Sequence, residues 1–249
     1  LKEAEKSGSA RVAGSTEASK FDRVAAQNEL DLDPKAAYLH FTSNNTIYGT
    51  QWSIDPEPPP GVPLVCDASS DALSRPVDVA RLGLYYAGAQ KNLGPAGVTL
   101  VIVRKDLLER VPGGLPAVLD YRLMAENRSL YNTPPTFAIY VVGLVLEWLK
   151  ALGGLAEVGR RNEAKAAVLH EAIDGSGGFY RGHAQPASRS RMNVTFRLPS
   201  EELEEKFVSE AKKQGLVGLK GHRSVGGCRA SMYNALPVAA VEALTSFME

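Results

Sequence analysis

The sequence predicts an α/β fold: a mostly parallel sheet in a large first domain, followed by a small C-terminal α+β domain. Three observations carry this. Residues 64–66, 84–87 and 98–103 are short, almost continuously apolar runs, the pattern of strands buried on both faces in a sheet covered by helices. Long helical patterns then occupy 135–152 and 155–173. Beyond Gly178 shorter strands and helices alternate, so the boundary is placed between residues 152 and 153, giving domains 1–152 and 153–249.

Taken in order, 1–6 reads as part of an amphipathic helix and 10–13 as a short strand. Residues 36–41 form an apolar, aromatic strand that ends in the polar loop Thr42-Ser43-Asn44-Asn45. The proline-rich stretch 55–63 excludes helix and central strand. The three apolar strands follow, with room for one antiparallel neighbour. Asp106 starts a short helix, broken across 111–116. Pro135 introduces a helix to about Leu152, where Gly153-Gly154 turns the chain. The greasy run 137–149 is interrupted by Glu147 and too short to span a bilayer, so a buried helix is expected. A helix at 155–173 ends at Gly175-Ser176-Gly177-Gly178. A strand at 192–197, a helix at 200–214, a short strand after Gly215 and a strand at 229–232 follow. Pro237 sits in the first turn of a terminal helix reaching Met248.

Composition removes several function classes. Among 249 residues, 28 basic side chains balance 28 acidic ones, leaving no global field to attract nucleic acid or an anionic membrane. Cys66 and Cys228 are far apart and lack metal-ligand spacing, and the four histidines show no ligand pair, so no metal site is expected. Two cysteines without a disulfide pattern fit a reducing, cytoplasmic setting. The opening residues have neither signal-peptide nor transit-peptide character.

The most informative stretch is Leu84-Tyr85-Tyr86-Ala87-Gly88-Ala89-Gln90-Lys91-Asn92-Leu93-Gly94-Pro95. Small residues at 87–89 let a bulky group approach the backbone, and a lysine at the mouth of such a pocket loses hydration and becomes a nucleophile. Local chemistry leaves two readings of Lys91 open: a solvated lysine in a Gly-Pro turn, or a reactive amine. Asp67, 24 residues earlier at the end of another apolar run, either caps a turn or meets a cation. An acid and an amine so placed suit pyridoxal phosphate, whose aldehyde joins a lysine and whose ring nitrogen stays protonated opposite an aspartate.

Residues 64–103 resemble the phosphoserine aminotransferase family, class-V enzymes of the fold-type I, aspartate aminotransferase-like group. Ser43-Asn44-Asn45-Thr46-Ile47-Tyr48-Gly49-Thr50-Gln51, Tyr131-Asn132-Thr133-Pro134-Pro135-Thr136 and Gly221-His222-Arg223-Ser224-Val225-Gly226-Gly227-Cys228-Arg229 match that family in the same order. The resemblance implies Lys91 as the Schiff-base lysine and proton carrier, and Asp67 opposite the ring nitrogen. It adds Thr46 and Gln90 as cofactor contacts. Asn132 and Thr133 are implied to reach the partner's cofactor phosphate across a homodimer, although Thr133 also suits a helix cap. Arg229 is implied to grip the amino-acid carboxylate, with His222 and Arg223 on the substrate phosphate or the distal carboxylate of glutamate. The implied reaction moves the amino group of L-glutamate to 3-phosphohydroxypyruvate, giving O-phospho-L-serine and 2-oxoglutarate in serine biosynthesis. A related substrate in pyridoxine biosynthesis is also implied for the family. Against the family pattern an N-terminal portion is expected to be absent, so a non-catalytic fragment is one alternative reading. Another class-V activity, a cysteine desulfurase, fits less well, because Gln90 stands where that group carries histidine. Arg189 and Arg191 read as structural.

Overall fold

The structure, a computed structural model, describes residues 1–249. Its first body is built on a four-stranded sheet. Strand β1 (Leu39–Thr42) and a tight hairpin, β2 (Asn44–Asn45) with β3 (Thr50–Gln51), precede β4 (Leu64–Asp67), β5 (Leu84–Gly88) and β6 (Thr99–Val103). The sheet order is β1-β4-β5-β6, with β1, β4 and β5 parallel and β6 antiparallel to β5. Helices α1 (Lys105–Glu109), α2 (Tyr121–Glu126) and α3 (Thr136–Ala151) follow. The α/β expectation and its single antiparallel neighbour are both met.

Burial on β4 and β5 alternates instead of being continuous. Leu64, Cys66, Tyr85 and Ala87 face a core that also holds Phe41, Leu82, Ala89 and Leu93. Val65, Asp67, Leu84, Tyr86 and Gly88 point to the other, half-covered face. The expectation of strands buried on both faces is thereby corrected, and the half-covered face is the one that carries Asp67.

The second body starts at a sharp corner. Gly153 and Gly154 adopt φ of +109° and +77°, where a Cβ would be strained. Through them the axis of α3 turns by 82° into α4 (Gly154–Gly175). Strands β7 (Arg181–Gly182), β8 (Asn193–Arg197) and β9 (Cys228–Ser231) form an antiparallel sheet, with α5 (Glu201–Lys213) between the last two and α6 (Val238–Met248) closing the chain. Tyr180, Phe196 and Phe207 pack edge-on at centroid distances of 5.8–5.9 Å. They sit among Leu169, Ile173, Val194, Met232 and Val241, so the three helices and the sheet share one core. Ser200 caps α5 by accepting from Leu203 N–H. Acids in its first turn and lysines in its last complement the helix dipole.

Several local expectations fail. Residues 10–13 form no strand, the opening helix is a single 3₁₀ turn (Ala4–Lys6), and only an isolated Lys220–Cys228 bridge follows Gly215. Thr133 does not cap α3, which starts at Thr136 after an uncapped Pro135. That helix is not buried either: only Ala138 and Leu149 are enclosed, while Phe137, Ile139, Tyr140 and Leu144 are exposed. No single helix is long and apolar enough to cross a membrane.

Lys165 ties α4 to the turn after β9. It is 2% exposed, and its ammonium donates to the carbonyls of Met232, Tyr233 and Leu236 at 3.1, 2.9 and 3.1 Å. Burial lowers its pKa from the ordinary 10.5 to about 8, and the three carbonyl dipoles are what make the buried charge tolerable. Replacing it with methionine removes the donor these three carbonyls share and is expected to cost about 2–4 kcal/mol in urea denaturation at pH 7. Between pH 8 and 10.5 the unfolded chain binds this proton more tightly than the folded one, so this group's contribution to stability rises with pH. Lys165→Met should abolish that rise.

Candidate active site

The parallel register sets three strand ends abreast: Thr42 pairs with Asp67, and Asp67 with Tyr86. The carboxyl ends of parallel strands are where α/β sheets bind ligands, because the chain leaves them in diverging loops. The loop after β5 carries Lys91, and the hairpin after β1 carries Thr46. The Lys91 ammonium donates to the Thr46 hydroxyl at 2.8 Å. Thr46 also receives Arg229, whose Nη1 donates to the Thr46 carbonyl at 3.3 Å from β9 of the second body.

Lys91 is half-buried, and its pKa is lowered chiefly by that burial. The Asp67 charge opposes the shift, and the neighbouring Arg229 cation adds to it. A lowered lysine pKa enlarges the fraction present as free amine, the form that attacks a carbonyl carbon and accepts a proton. Arg229 is held by one arm only. Its Nε is buried with no partner, so the guanidinium keeps a donor that no group of the chain satisfies.

Asp67 serves as a turn cap and lies within the field of a cation. Its Oδ1 caps the turn by accepting from Ser69 N–H at 2.9 Å, and its carboxylate still faces the charge field of Lys91. The strand end beneath it is fixed: its carbonyl accepts Ser43 N–H and the Ser43 hydroxyl at 2.9 and 3.2 Å. Gln90 folds back over Gly88, where an added Cβ would lie 2.8 Å from Gln90 Oε1. Small residues there keep the floor between Asp67 and Lys91 low.

Four of the expected residues thus converge: Lys91, Thr46, Asp67 and Arg229. Gln90 adjoins them. His222 and Arg223 sit on a glycine-framed loop that leads into β9 and hence to Arg229. Asn132 and Thr133 lie exposed on a separate loop, where Asn132 Nδ2 reaches only the Thr133 carbonyl, at 3.2 Å. They make no hydrogen bond to the Lys91 group. Arg189 and Arg191 are structural ties: Arg189 forms two bonds of 2.7 Å with Asp174, and the Arg191 N–H donates to Gln51.

Sequence reasoning passed over two groups. The Tyr86 hydroxyl lies 3.0 Å from His40 Nε2, and Tyr86 stands beside Asp67 in the β4–β5 register. Burial, then the Asp67 charge, pushes the tyrosine up to about 12. Asp71 is 5% exposed; it accepts the Ser43 hydroxyl and, at 3.0 Å, the Gln51 amide. Alternation along β5 places Tyr86 on the Asp67 face, but only the register makes them neighbours.

Both cysteines are buried, and desolvation pushes each thiol up to about 12, which removes the nucleophilic thiolate a desulfurase needs. No group of three or more His, Cys, Asp or Glu side chains is placed to hold a metal ion. The arrangement fits pyridoxal phosphate on observed grounds. It offers a half-buried amine, a carboxylate beside it on the same sheet end, a low floor of small residues, and an arginine donor with no protein partner.

Comparison with known proteins agrees. The family described as Aminotransferase class-V matches residues 2–244. A phosphoserine aminotransferase of Geobacillus kaustophilus is 60% identical over 248 residues, covering 100% of this chain and 68% of the relative. The solved phosphoserine aminotransferase of Bacillus circulans subsp. alkalophilus superposes with a TM-score of 0.97 at 55% identity, again over 100% of this chain and 68% of that one. A phosphoserine aminotransferase from Trichomonas vaginalis, described as bound to pyridoxal phosphate, superposes with a TM-score of 0.87 at 41% identity. It covers 92% of this chain and 65% of its own. The geometry around Lys91 and these likenesses lead to one conclusion: the chain belongs to the class-V aminotransferases.

Proposed function

We propose that this chain moves the amino group of L-glutamate to 3-phosphohydroxypyruvate, forming 2-oxoglutarate and O-phospho-L-serine. The observation that carries this reading is the half-buried Lys91 amine, 2.8 Å from Thr46, with Asp67 and Arg229 acting on its charge. The names of the relatives support the choice of substrates. The chain spans 68% of the length of those relatives.

When bound, pyridoxal phosphate supplies an aldehyde that condenses with amines and a ring that accepts the electron pair left by a departing α-proton. The chain's own residues do the rest. The Lys91 amine would take the α-proton at Nζ and return it in the second half of the transfer, a role that its lowered pKa favours. Asp67, held by Ser69, would keep a proton on the cofactor's ring nitrogen. Thr46 aims Lys91 through its hydroxyl, and Gln90 closes the side over Gly88. Arg229 binds the α-carboxylate with the donors Thr46 leaves open, and His222 with Arg223 receive the distal anion.

The division into a large body, 1–152, and a small one, 153–249, is part of the same reading: it is supported by two separate buried cores, with the chain turning between α3 and α4 at Gly153-Gly154. So is a homodimer. The exposed Asn132-Thr133 loop adjoins the exposed Phe137, Tyr140 and Leu144 of α3, an apolar flank suited to a second copy. Two free, buried cysteines are in keeping with a cytoplasmic location.

Mixing the purified chain with pyridoxal phosphate, glutamate and 3-phosphohydroxypyruvate should give a yellow complex and release 2-oxoglutarate. Colour without turnover would reject the substrates, and no spectral change would support a non-catalytic fragment. Lys91→Ala should abolish the colour and lower turnover by roughly 10²–10⁴-fold. Arg229→Lys should raise KM for glutamate about tenfold or more, because one ammonium cannot replace a bidentate fork. In sedimentation velocity the chain should run at twice its 26.7 kDa mass; a monomer at micromolar concentration would reject the dimer.

A further inference from the structure

The loop from Gly221 to Gly227 is seated on a guanidinium. Arg197, the last residue of β8, donates from Nη1 to the Val225 carbonyl at 2.9 Å. Its Nε donates to Glu204 on α5 at 2.5 Å, and the same carboxylate oxygen accepts Leu198 N–H at 3.3 Å. Glu204 is 6% exposed, so this charge is buried and paired. The loop backbone has closed on the arginine. A Cβ on Gly226 would lie 3.1 Å from Arg197 Nη1, and one on Gly227 would lie 2.7 Å from its Cδ. At the neck, Gly221 N–H donates to the Gly227 carbonyl at 2.8 Å, and a Cβ on Gly221 would lie 1.9 Å from the Gly226 carbonyl oxygen.

The tip of this loop carries His222 and Arg223. The His222 Nδ1 accepts Ser224 N–H at 3.3 Å and lies 2.7 Å from the Ser224 hydroxyl, which leaves Nε2 to carry the proton and donate outward. A neck of three glycines is intrinsically loose, since glycine restricts the chain least. Something must hold the tip in one conformation if it is to receive an anion without a large ordering cost. The only side chain hydrogen-bonded to the Val225 carbonyl is Arg197, and the fork that reaches it is aimed by Glu204.

We infer that Arg197 and Glu204 are positioning residues for the substrate's distal anion, fixing the Gly221–Gly227 loop so that His222 and Arg223 are set before substrate arrives. This rests on the reading above that these two residues bind that anion. Neither Arg197 nor Glu204 touches the Lys91 group, so their loss should leave the chemical step intact.

The test compares Arg197→Gln, Arg197→Lys and Gly226→Ala with His222→Ala in the cofactor-loaded enzyme. The three loop-seat variants should raise KM for the phosphorylated oxo acid about tenfold or more and weaken calorimetric binding of inorganic phosphate by a similar factor. They should leave kcat and the cofactor absorption unchanged and speed amide exchange within 221–227. If Arg197→Gln fails to fold, the lysine variant and Gly226→Ala decide. Folded seat variants with unchanged KM, phosphate binding and loop exchange, beside a His222→Ala enzyme with raised KM, would overturn the positioning role alone. His222→Ala with unchanged KM and phosphate affinity would overturn the anion-binding reading and this inference with it. A loss of kcat and cofactor absorption in the seat variants would mean a merely structural role, and would also overturn it.

Discussion

Thr46 is the point on which the two bodies of this protein agree. Its hydroxyl accepts the ammonium of Lys91 from the first body, and its carbonyl accepts the guanidinium of Arg229 from the second. Two cations brought toward one residue repel each other, so the hairpin bearing Thr46 has to be rigid. Asn44, 1% exposed, supplies that rigidity. It bonds Ser70 in the first body and both Asn193 and Ser190 in the second. Gly49, at φ +71°, lets the hairpin turn where a Cβ would meet the Asn193 carbonyl at 2.7 Å. A buried polar network of this kind specifies one arrangement, because every group left unpaired would carry its full desolvation cost.

A second stitch lies on the opposite side of Lys91. The amide of Asn92 accepts Asn234 N–H at 2.9 Å, and Asn234 in turn bonds Asn162 and the Leu73 carbonyl. Asn234 belongs to the turn whose carbonyls enclose Lys165. Asn92, next to Lys91, is therefore fixed through the same turn that follows Arg229 in sequence. The spacing between Lys91 and Arg229 is a property of this joint, not of either body alone.

The half-covered sheet face and the exposed side of α3 belong together physically. On one face of β4 and β5, apolar residues are packed to exclusion of water. On the other, Asp67 and Tyr86 are register neighbours, and the Tyr86 hydroxyl lies 3.0 Å from His40 Nε2. A face that carries a carboxylate must keep access for the group that pairs with it. Its incomplete cover is consistent with that requirement.

What the residues settled by themselves is local. The α/β class, the corner at Gly153-Gly154 and the helix start after Pro237 follow from apolar runs, positive φ and a missing N–H, which act over a few residues. Lys91 and Asp67 stood out as candidates because an amine among small residues and an acid at a strand end suit a cofactor, although a solvated turn and a turn cap remained open for them. Tertiary structure decided the remainder. Tyr86 meets Asp67 only through the β4–β5 register, and Arg229 meets Thr46 across 183 positions of chain. It also left α3 exposed, although its composition reads as buried. Partners over such separations are chosen by which faces pack and which polar groups would otherwise be left dry, and neither is written in the spacing of residues along the chain.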